Sequence, residues 1–131
     1  MNFAFSEEQE ELRKSVRKFL EQKSDSPEVR RLMETEEGYD PDVWNQMAQQ
    51  LGLQGLAIPE EHGGSGYSYV ELIVVLEEMG RALLPAPYFS TVALAANAIL
   101  ASGDLVSRNC LTILRSSSCS SENAKFTATV Y

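Results

Sequence analysis

Histidine, cysteine and basic residues are scarce in this sequence, and each shortage argues against a class of function. The 131 residues include one histidine, His62, and two cysteines, Cys110 and Cys119. Eight residues separate the cysteines, which is not the spacing of a zinc or redox motif. Lys and Arg number 11 against 19 Asp and Glu, so the net charge is -8. This balance argues against nucleic acids and anionic membrane surfaces as partners.

The sequence also lacks a signal peptide and a long apolar run. The least polar window, Ala86 to Ser102, spans about 17 residues and contains Ser90, Thr91 and Asn97, so it favours a buried helix over a membrane span. Without a secretory leader, a reduced and cytoplasmic protein is expected. A composition of 44% apolar and 23% charged residues is typical of a soluble globular domain.

Helix-capping signals and apolar periodicity predict about five helices. Ser6 with Gln9, and Ser68 with Glu71, have the spacing of capping boxes at helix N-termini. Gly52 is expected to end the third helix in the left-handed conformation. The predicted helices begin after Ser6, at Pro27, at Pro41, near Tyr69 and near Phe89, and the last extends to about Ser102. The predicted fold class is therefore all-α, an orthogonal or up-down bundle of about five helices.

The fourth predicted helix, from about Tyr69 to Leu84, is apolar on almost every side. We expect it to be the central buried helix of the bundle, and Glu77, Glu78 and Arg81 to mark its wetter end. The core is then predicted to pack around residues 70–79 and 93–100.

A glycine-rich loop from Pro59 to Tyr67 invites comparison with catalytic loops. Gly64-Ser65-Gly66 gives the G-x-G of a dinucleotide fingerprint, but the third glycine and the preceding strand are missing. The His-Gly-Gly run is similar to the oxyanion loop of some α/β-hydrolases, yet the G-x-S-x-G elbow fails at Tyr67. His62 beside two glutamates is a poor metal set, and an exposed loop histidine is favoured over a general base. The simplest interpretation is a tight corner between two helices, for which three glycines allow positive φ angles.

The composition changes abruptly after Asp104. Residues 105–131 contain six serines, three threonines and both cysteines, and Leu111–Leu114 and Phe126–Tyr131 are predicted short strands. We therefore predict a helical domain over residues 1–104 and an atypical tail over residues 105–131. The change favours a tail translated in a shifted frame, or a foreign end on a truncated gene.

Four motifs then occur in a characteristic order: WNQMAQQLGLQGL from Trp44, PEEHGGSG from Pro59, EEMGR from Glu77 and ASGD from Ala101. Together they resemble the amino-terminal helical domain of acyl-CoA dehydrogenases, over about residues 2–104. The resemblance implies an enzyme in which a β domain and a second helical bundle follow this domain. It also implies FAD, a catalytic glutamate from the last bundle, an acyl-CoA substrate and electron-transfer flavoprotein as the partner that reoxidises the flavin.

The same resemblance implies that the amino-terminal domain shapes the acyl pocket, and it places Ala86, Phe89, Ser90 and Ala93 in the pocket wall. It assigns no catalytic, flavin-binding or metal-binding residue to this chain, so the chain alone is expected to lack dehydrogenase turnover. Two alternatives remain open. The chain is a non-catalytic interaction module that self-associates or pairs with a full-length subunit, or it is a degenerate gene product.

Overall fold

Helices make up the part of the chain that the computed structural model describes, residues 4–103. In order they are α1 (Glu7–Lys23), α2 (Ser26–Met33), α3 (Pro41–Leu51), α4 (Tyr69–Arg81), a π-helix (Phe89–Ala95) and α5 (Ala96–Ser102), with 3-10 turns at Leu53–Gly55 and Glu60–His62. No strand occurs within residues 4–103, so the predicted all-α fold with five α-helices is confirmed. The predicted tail strands, Cys110 and Cys119 lie outside the described residues.

The predicted helix ends are confirmed where local capping chemistry defines them. The Ser6 hydroxyl accepts a hydrogen bond from the Gln9 N–H at 3.2 Å, and the Gln9 side chain accepts one from the Ser6 N–H at 3.0 Å. Ser68 and Glu71 form the second capping box at the start of α4. After α3, Gly52 adopts a φ of 61°, the left-handed conformation that glycine tolerates best.

Residues 4–40 and 68–86 form one of two compact units. Within it, α1 packs along α4, and both helices bury an apolar stripe. The buried apolar side chains of the two helices are Val16, Phe19, Leu20, Leu72, Val74, Val75 and Met79. The packing of these two amphipathic helices therefore forms the core of this unit.

One face of α4 is exposed, contrary to the prediction that the helix is buried all round. The exposed fractions are 61% for Tyr69, 45% for Val70 and 61% for Ile73. Apolar residues occur on nearly every side of α4, but the buried ones are Leu72, Val74, Val75 and Met79, and α1 packs against this helix. We call Tyr69, Val70 and Ile73 the α4 outer stripe.

Glu78 lies on the buried side of α4, so the prediction that it marks a wet end is wrong. It follows Val74 by four positions and Val75 by three, which places it on their face of the helix. Its carboxylate accepts hydrogen bonds from Arg17 Nη2 at 2.7 Å, Arg17 Nε at 3.0 Å and Arg81 Nε at 2.9 Å. Hydrogen bonds from Arg17, more than any other cause, lower the pKa of Glu78 from 4.5 to about 2, against the opposing effect of burial. The charge is thus buried with its partners in place.

A leucine occupies the position after α4 that usually belongs to glycine. The Leu84 N–H donates to the Met79 carbonyl and the Leu83 N–H donates to the Gly80 carbonyl, both at 3.1 Å, which is the Schellman pattern of helix termination. Leu83 has a φ of 51°, the one positive value at a non-glycine residue within the described part of the chain. A bulky side chain in this conformation is strained by roughly 1–2 kcal/mol.

Leu83→Gly should therefore raise the free energy of unfolding by about 0.5–1 kcal/mol, since removal of the strain outweighs the greater freedom of glycine in the unfolded chain. The Leu83 side chain is 71% exposed, so little packing is lost. Urea denaturation of the 131-residue chain measures the effect. Leu83→Ala is the matched control, because it removes most of the side chain but retains Cβ. An equal gain from both variants would contradict the explanation by backbone strain.

Residues 41–67 and 87–103 belong to the second unit. Ile58 and Ala96 form a buried pair in it, and Ile99 and Leu100 pack against that pair. The least polar window of the sequence thus forms the π-helix and α5. Among residues 4–103, no helix combines the length and apolar character needed to cross a membrane.

Candidate functional site

The glycine-rich loop is closed by its own backbone. The N–H groups of Ser65, Gly66 and Tyr67 donate to the carbonyls of Gly55, Ile58 and Leu56 at 2.9, 2.9 and 3.0 Å. The N–H groups of residues 62–64 also donate within the loop, to Pro59 and Glu60. A phosphate or oxyanion site needs free backbone donors, and these six N–H groups already have acceptors. The loop is structural, as the simplest interpretation of the sequence predicts.

Two of the loop glycines have positive φ angles, and a third makes a close contact. Gly63 has a φ of 77° and Gly66 a φ of 68°. At Gly64, a Cβ atom would lie 2.0 Å from the Ile58 carbonyl oxygen and 2.5 Å from its carbonyl carbon. Only glycine fits this position unless the backbone moves. The turn therefore requires glycine at all three positions, at two because of a positive φ angle and at the third because of a close contact.

His62 is more enclosed than an exposed loop residue, which corrects the expectation for it. Its side chain is 14% exposed, and its Nε2 atom lies 3.3 Å from a carboxylate oxygen of Glu61. Within residues 4–103 there is no group of three histidine, cysteine, aspartate or glutamate side chains placed to hold a metal ion. The described part of the loop thus provides no metal set around the histidine.

Three of the four predicted pocket residues lie on the π-helix. Phe89 is 58% exposed, while Ser90 and Ala93 are half-buried. The Ser90 hydroxyl donates to the Pro87 carbonyl at 3.2 Å. Ala86 is also half-buried, but it belongs to the first unit, and its N–H donates to the Leu84 carbonyl at 3.0 Å. The structure thus places Phe89, Ser90 and Ala93 on one element and Ala86 on the segment before it.

The π-helix adds Leu94 to this set, which the sequence alone did not identify. In an α-helix, Phe89 and Leu94 would point about 140° apart, because each residue turns the chain by about 100°. A π-helix bonds each N–H to the carbonyl five residues earlier, so residues five apart lie closer to one side of the helix than they do in an α-helix. Leu94 is 47% exposed, and with Phe89 it gives the segment two large uncovered apolar side chains.

An aromatic cluster at the start of the π-helix fixes that end. Tyr88 is 2% exposed and meets the Trp44 ring edge-on, with ring centroids 6.4 Å apart. Its hydroxyl donates to the Leu53 carbonyl at 2.8 Å, and the Gln54 amide donates to the Trp44 carbonyl at 2.9 Å. Burial raises the pKa of Tyr88 far above its usual value, so the hydroxyl remains a proton donor in this bond. The cluster therefore anchors Phe89, the next residue.

The chemistry available to this segment is apolar contact. The π-helix has the sequence FSTVALA and carries no ionisable side chain. General acid–base catalysis and metal binding both require such groups. Phe89 and Leu94 are exposed, so covering them with an apolar group lowers the free energy of the system. The segment is suited to line a pocket for an apolar chain.

Comparison with known families identifies a match over most of the chain. The sequence profile of the acyl-CoA dehydrogenase N-terminal domain matches residues 6–108. The acyl-CoA dehydrogenase IpdE2 of Mycolicibacterium smegmatis is 45% identical over 98 residues, which are 75% of this chain and 31% of that protein. IpdE2 of Mycobacterium tuberculosis is 38% identical over 95 residues, or 72% of this chain and 30% of that protein. The chain therefore spans less than a third of the length of these relatives.

Solved structures agree with the sequence matches. A variant of the Tcur3481–Tcur3483 steroid ACAD superposes with a TM-score of 0.70 at 30% identity, over 83% of this chain and 30% of that one. The ChsE4–ChsE5 complex of Mycobacterium tuberculosis gives a TM-score of 0.69 at 29% identity, over 77% of this chain and 28% of that one. Both structures are therefore similar to this chain in fold as well as in sequence.

Proposed function

Because this chain belongs to the acyl-CoA dehydrogenase family through its N-terminal domain, we propose that it is the N-terminal part of a flavin-dependent enzyme. That enzyme oxidises an acyl-CoA thioester at its α,β bond, and this part shapes the acyl pocket. The pocket residues we propose are Ala86, Phe89, Ser90 and Ala93, to which the π-helix adds Leu94. The observation that carries the proposal is a segment with two large exposed apolar side chains and no ionisable one.

The acyl group would contact this segment through apolar packing. Phe89 offers a rigid aromatic surface whose neighbour Tyr88 is held in the core. Half-buried Ala93 and Ser90 on the same segment have small side chains, which suits a bulky or long acyl chain. A change in the shape of such a pocket wall alters which substrates are preferred more than it alters the reaction itself. We therefore assign this domain to substrate selection.

The flavin and the catalytic base belong to other parts of the proposed enzyme. FAD, when bound, accepts the hydride from the β-carbon of the thioester. Its pyrophosphate does not fit the glycine-rich loop, because the loop N–H groups already donate to backbone carbonyls. The 131-residue chain alone should accordingly purify without flavin absorbance and without turnover. Electron-transfer flavoprotein is the partner that we propose for the whole enzyme.

A domain exchange tests the proposed pocket. In IpdE2 of Mycolicibacterium smegmatis, residues 6–103 of this chain would replace the matching segment, and flavin absorbance would verify that the hybrid assembles. Phe89→Ala should change the ratio of kcat/KM between a straight-chain and a polycyclic acyl-CoA by about tenfold or more, since it enlarges the pocket by most of an aromatic side chain. Tyr69→Ala is the control, because it removes a similarly exposed aromatic from α4. Equal ratios in both variants would contradict the proposal.

The α4 outer stripe favours the second candidate, an interaction module. Tyr69, Val70 and Ile73 form an exposed apolar surface of the kind that marks protein contacts. One structural neighbour is a two-protein complex. Light scattering of the isolated chain distinguishes the candidates: a dimer that Ile73→Glu dissociates would support the interaction module, while a monomer at all concentrations would count against self-association.

A further inference from the structure

The π-helix is unusually long for its class. Such helices are rare and appear mostly as single-turn bulges inside α-helices, often at functional sites. Here seven residues, Phe89–Ala95, have this geometry, and α5 continues directly from them at Ala96. The Ala96 N–H still donates to the Thr91 carbonyl, five residues earlier. A segment this long needs interactions that favour it over the α-helix into which it runs.

Asn97 supplies such an interaction at the change of register. Its side-chain Nδ2 atom donates to the Ala93 carbonyl, with a separation of 2.6 Å. In an ordinary α-helix the carbonyl four residues earlier is already taken by the backbone N–H, and a second donor there distorts the turn. The widened π turn provides room for the additional donor. The bond therefore lies where the five-residue ladder ends and the four-residue ladder begins.

We propose that Asn97 is a positioning residue for the acyl pocket: its carboxamide stabilises the π-helix and so fixes which side chains share the pocket side. The inference rests on the proposed function of this segment. If the segment relaxed into an α-helix, Leu94 would turn away from Phe89, to a separation of about 140° around the helix axis. The two exposed apolar side chains would then lie farther apart around the helix. Asn97 contributes to specificity through this rotation, without touching the acyl group itself.

Four variants test the proposal. Asn97→Asp keeps the shape but replaces the donor with a carboxylate, and Asn97→Ala removes the side chain. Asn97→Ser restores a donor, because a serine hydroxyl reaches the carbonyl four residues earlier. Ser102→Ala is the matched control, since it deletes a side-chain bond to the Ile99 carbonyl, at 2.7 Å, within regular α5.

The structural measurement uses the 131-residue chain. Carbon chemical shifts and amide exchange of residues 89–97 report the helix type and its protection. In Asn97→Asp and Asn97→Ala, amide exchange in this segment should accelerate by about tenfold, as expected for loss of about one strong hydrogen bond. Asn97→Ser and Ser102→Ala should retain the wild-type pattern. An unchanged π-helix in Asn97→Ala would overturn the proposal, and so would exchange in Asn97→Ser as fast as in Asn97→Ala.

The functional measurement uses the IpdE2 hybrid. The ratio of kcat/KM between straight-chain and polycyclic thioesters should shift by about tenfold in Asn97→Asp and return in Asn97→Ser. A merely structural role would lower activity on both substrates equally and leave the ratio unchanged. If Phe89→Ala shifts the ratio but the Asn97 variants do not, the positioning role is overturned and the proposed pocket stands. If neither shifts it, both fail.

Discussion

Replacing Glu78 with glutamine should lower the free energy of unfolding by about 3 kcal/mol at pH 7. The carboxylate is 1% exposed and accepts three hydrogen bonds from two guanidinium groups. Those contacts hold its pKa at about 2, against 4.5 for a free glutamate. Glutamine is uncharged, so Arg17 and Arg81 lose their ion pairs with a buried carboxylate. A substitution that breaks a buried ion pair is among the costly kinds.

The stabilisation by Glu78 depends on pH, and the lowered pKa determines its direction. Because the pKa of Glu78 is lower in the folded protein, the group stabilises the fold fully above the pKa of the unfolded chain. That contribution is lost as the pH falls from about 4.5 to about 2. The stability curves of wild type and Glu78→Gln should therefore converge near pH 2. Urea denaturation at a series of pH values measures the difference.

Glu77→Gln is the matched control for this experiment. Glu77 is the preceding residue and also pairs with an arginine, since its carboxylate lies 3.0 Å from Arg13 Nη2. Its side chain is 59% exposed, however, so solvent screens the pair. We expect a loss below about 1 kcal/mol, and a smaller one at high salt. Equal losses for the two variants would mean that burial does not determine the strength of the Glu78 contacts.

The helix ends could be predicted because their causes are local. Each capping box lies within four residues, and its hydrogen bonds need no other part of the chain. Gly52 ends α3 for an equally local reason, the left-handed conformation that follows the last turn. Apolar periodicity between these ends gives the all-α fold class, and the family motifs around the glycine-rich loop agree with it. Sequence reasoning is strongest where a few adjacent residues determine the geometry.

The burial of Glu78 could not be predicted, because its cause is distant in sequence. Arg17 lies 61 positions earlier, and only the packing of α1 along α4 brings the two together. From sequence alone, a carboxylate at the end of an apolar helix is predicted to be exposed to solvent, because its partner cannot be identified. The same applies to His62, whose enclosure no local pattern signals.

The family resemblance proposes residues for the candidate site, but it gives no geometry for them. Phe89, Ser90 and Ala93 followed from the family resemblance, and their contact with an acyl group stays a prediction. The π-helix had no sequence signal, because its residues satisfy α-helical expectations equally well. Leu94 was therefore not among the predicted pocket residues. The side chain that bonds at the junction with α5 is Asn97, a polar residue with apolar neighbours on both sides.

Gly64→Ala should be the other strongly destabilising substitution, with a loss of about 3 kcal/mol or more. The added Cβ would lie 2.0 Å from the Ile58 carbonyl oxygen, so the backbone itself has to move. That movement would break the bond from the Gly66 N–H to the same oxygen and uncover the buried Ile58 side chain. Thermal and urea denaturation of the 131-residue chain measure the loss.

Gly80→Ala is the control, a glycine substitution that is expected to stabilise the fold. Gly80 is exposed inside α4, and a Cβ there meets nothing within 4 Å. Alanine should raise the free energy of unfolding by about 0.5–1 kcal/mol, because it restricts the unfolded chain and suits a helix interior. If Gly64→Ala were as stable as wild type, the Ile58 carbonyl would be free to move. The loop would then have backbone donors to spare, and its exclusion as an anion site would no longer hold.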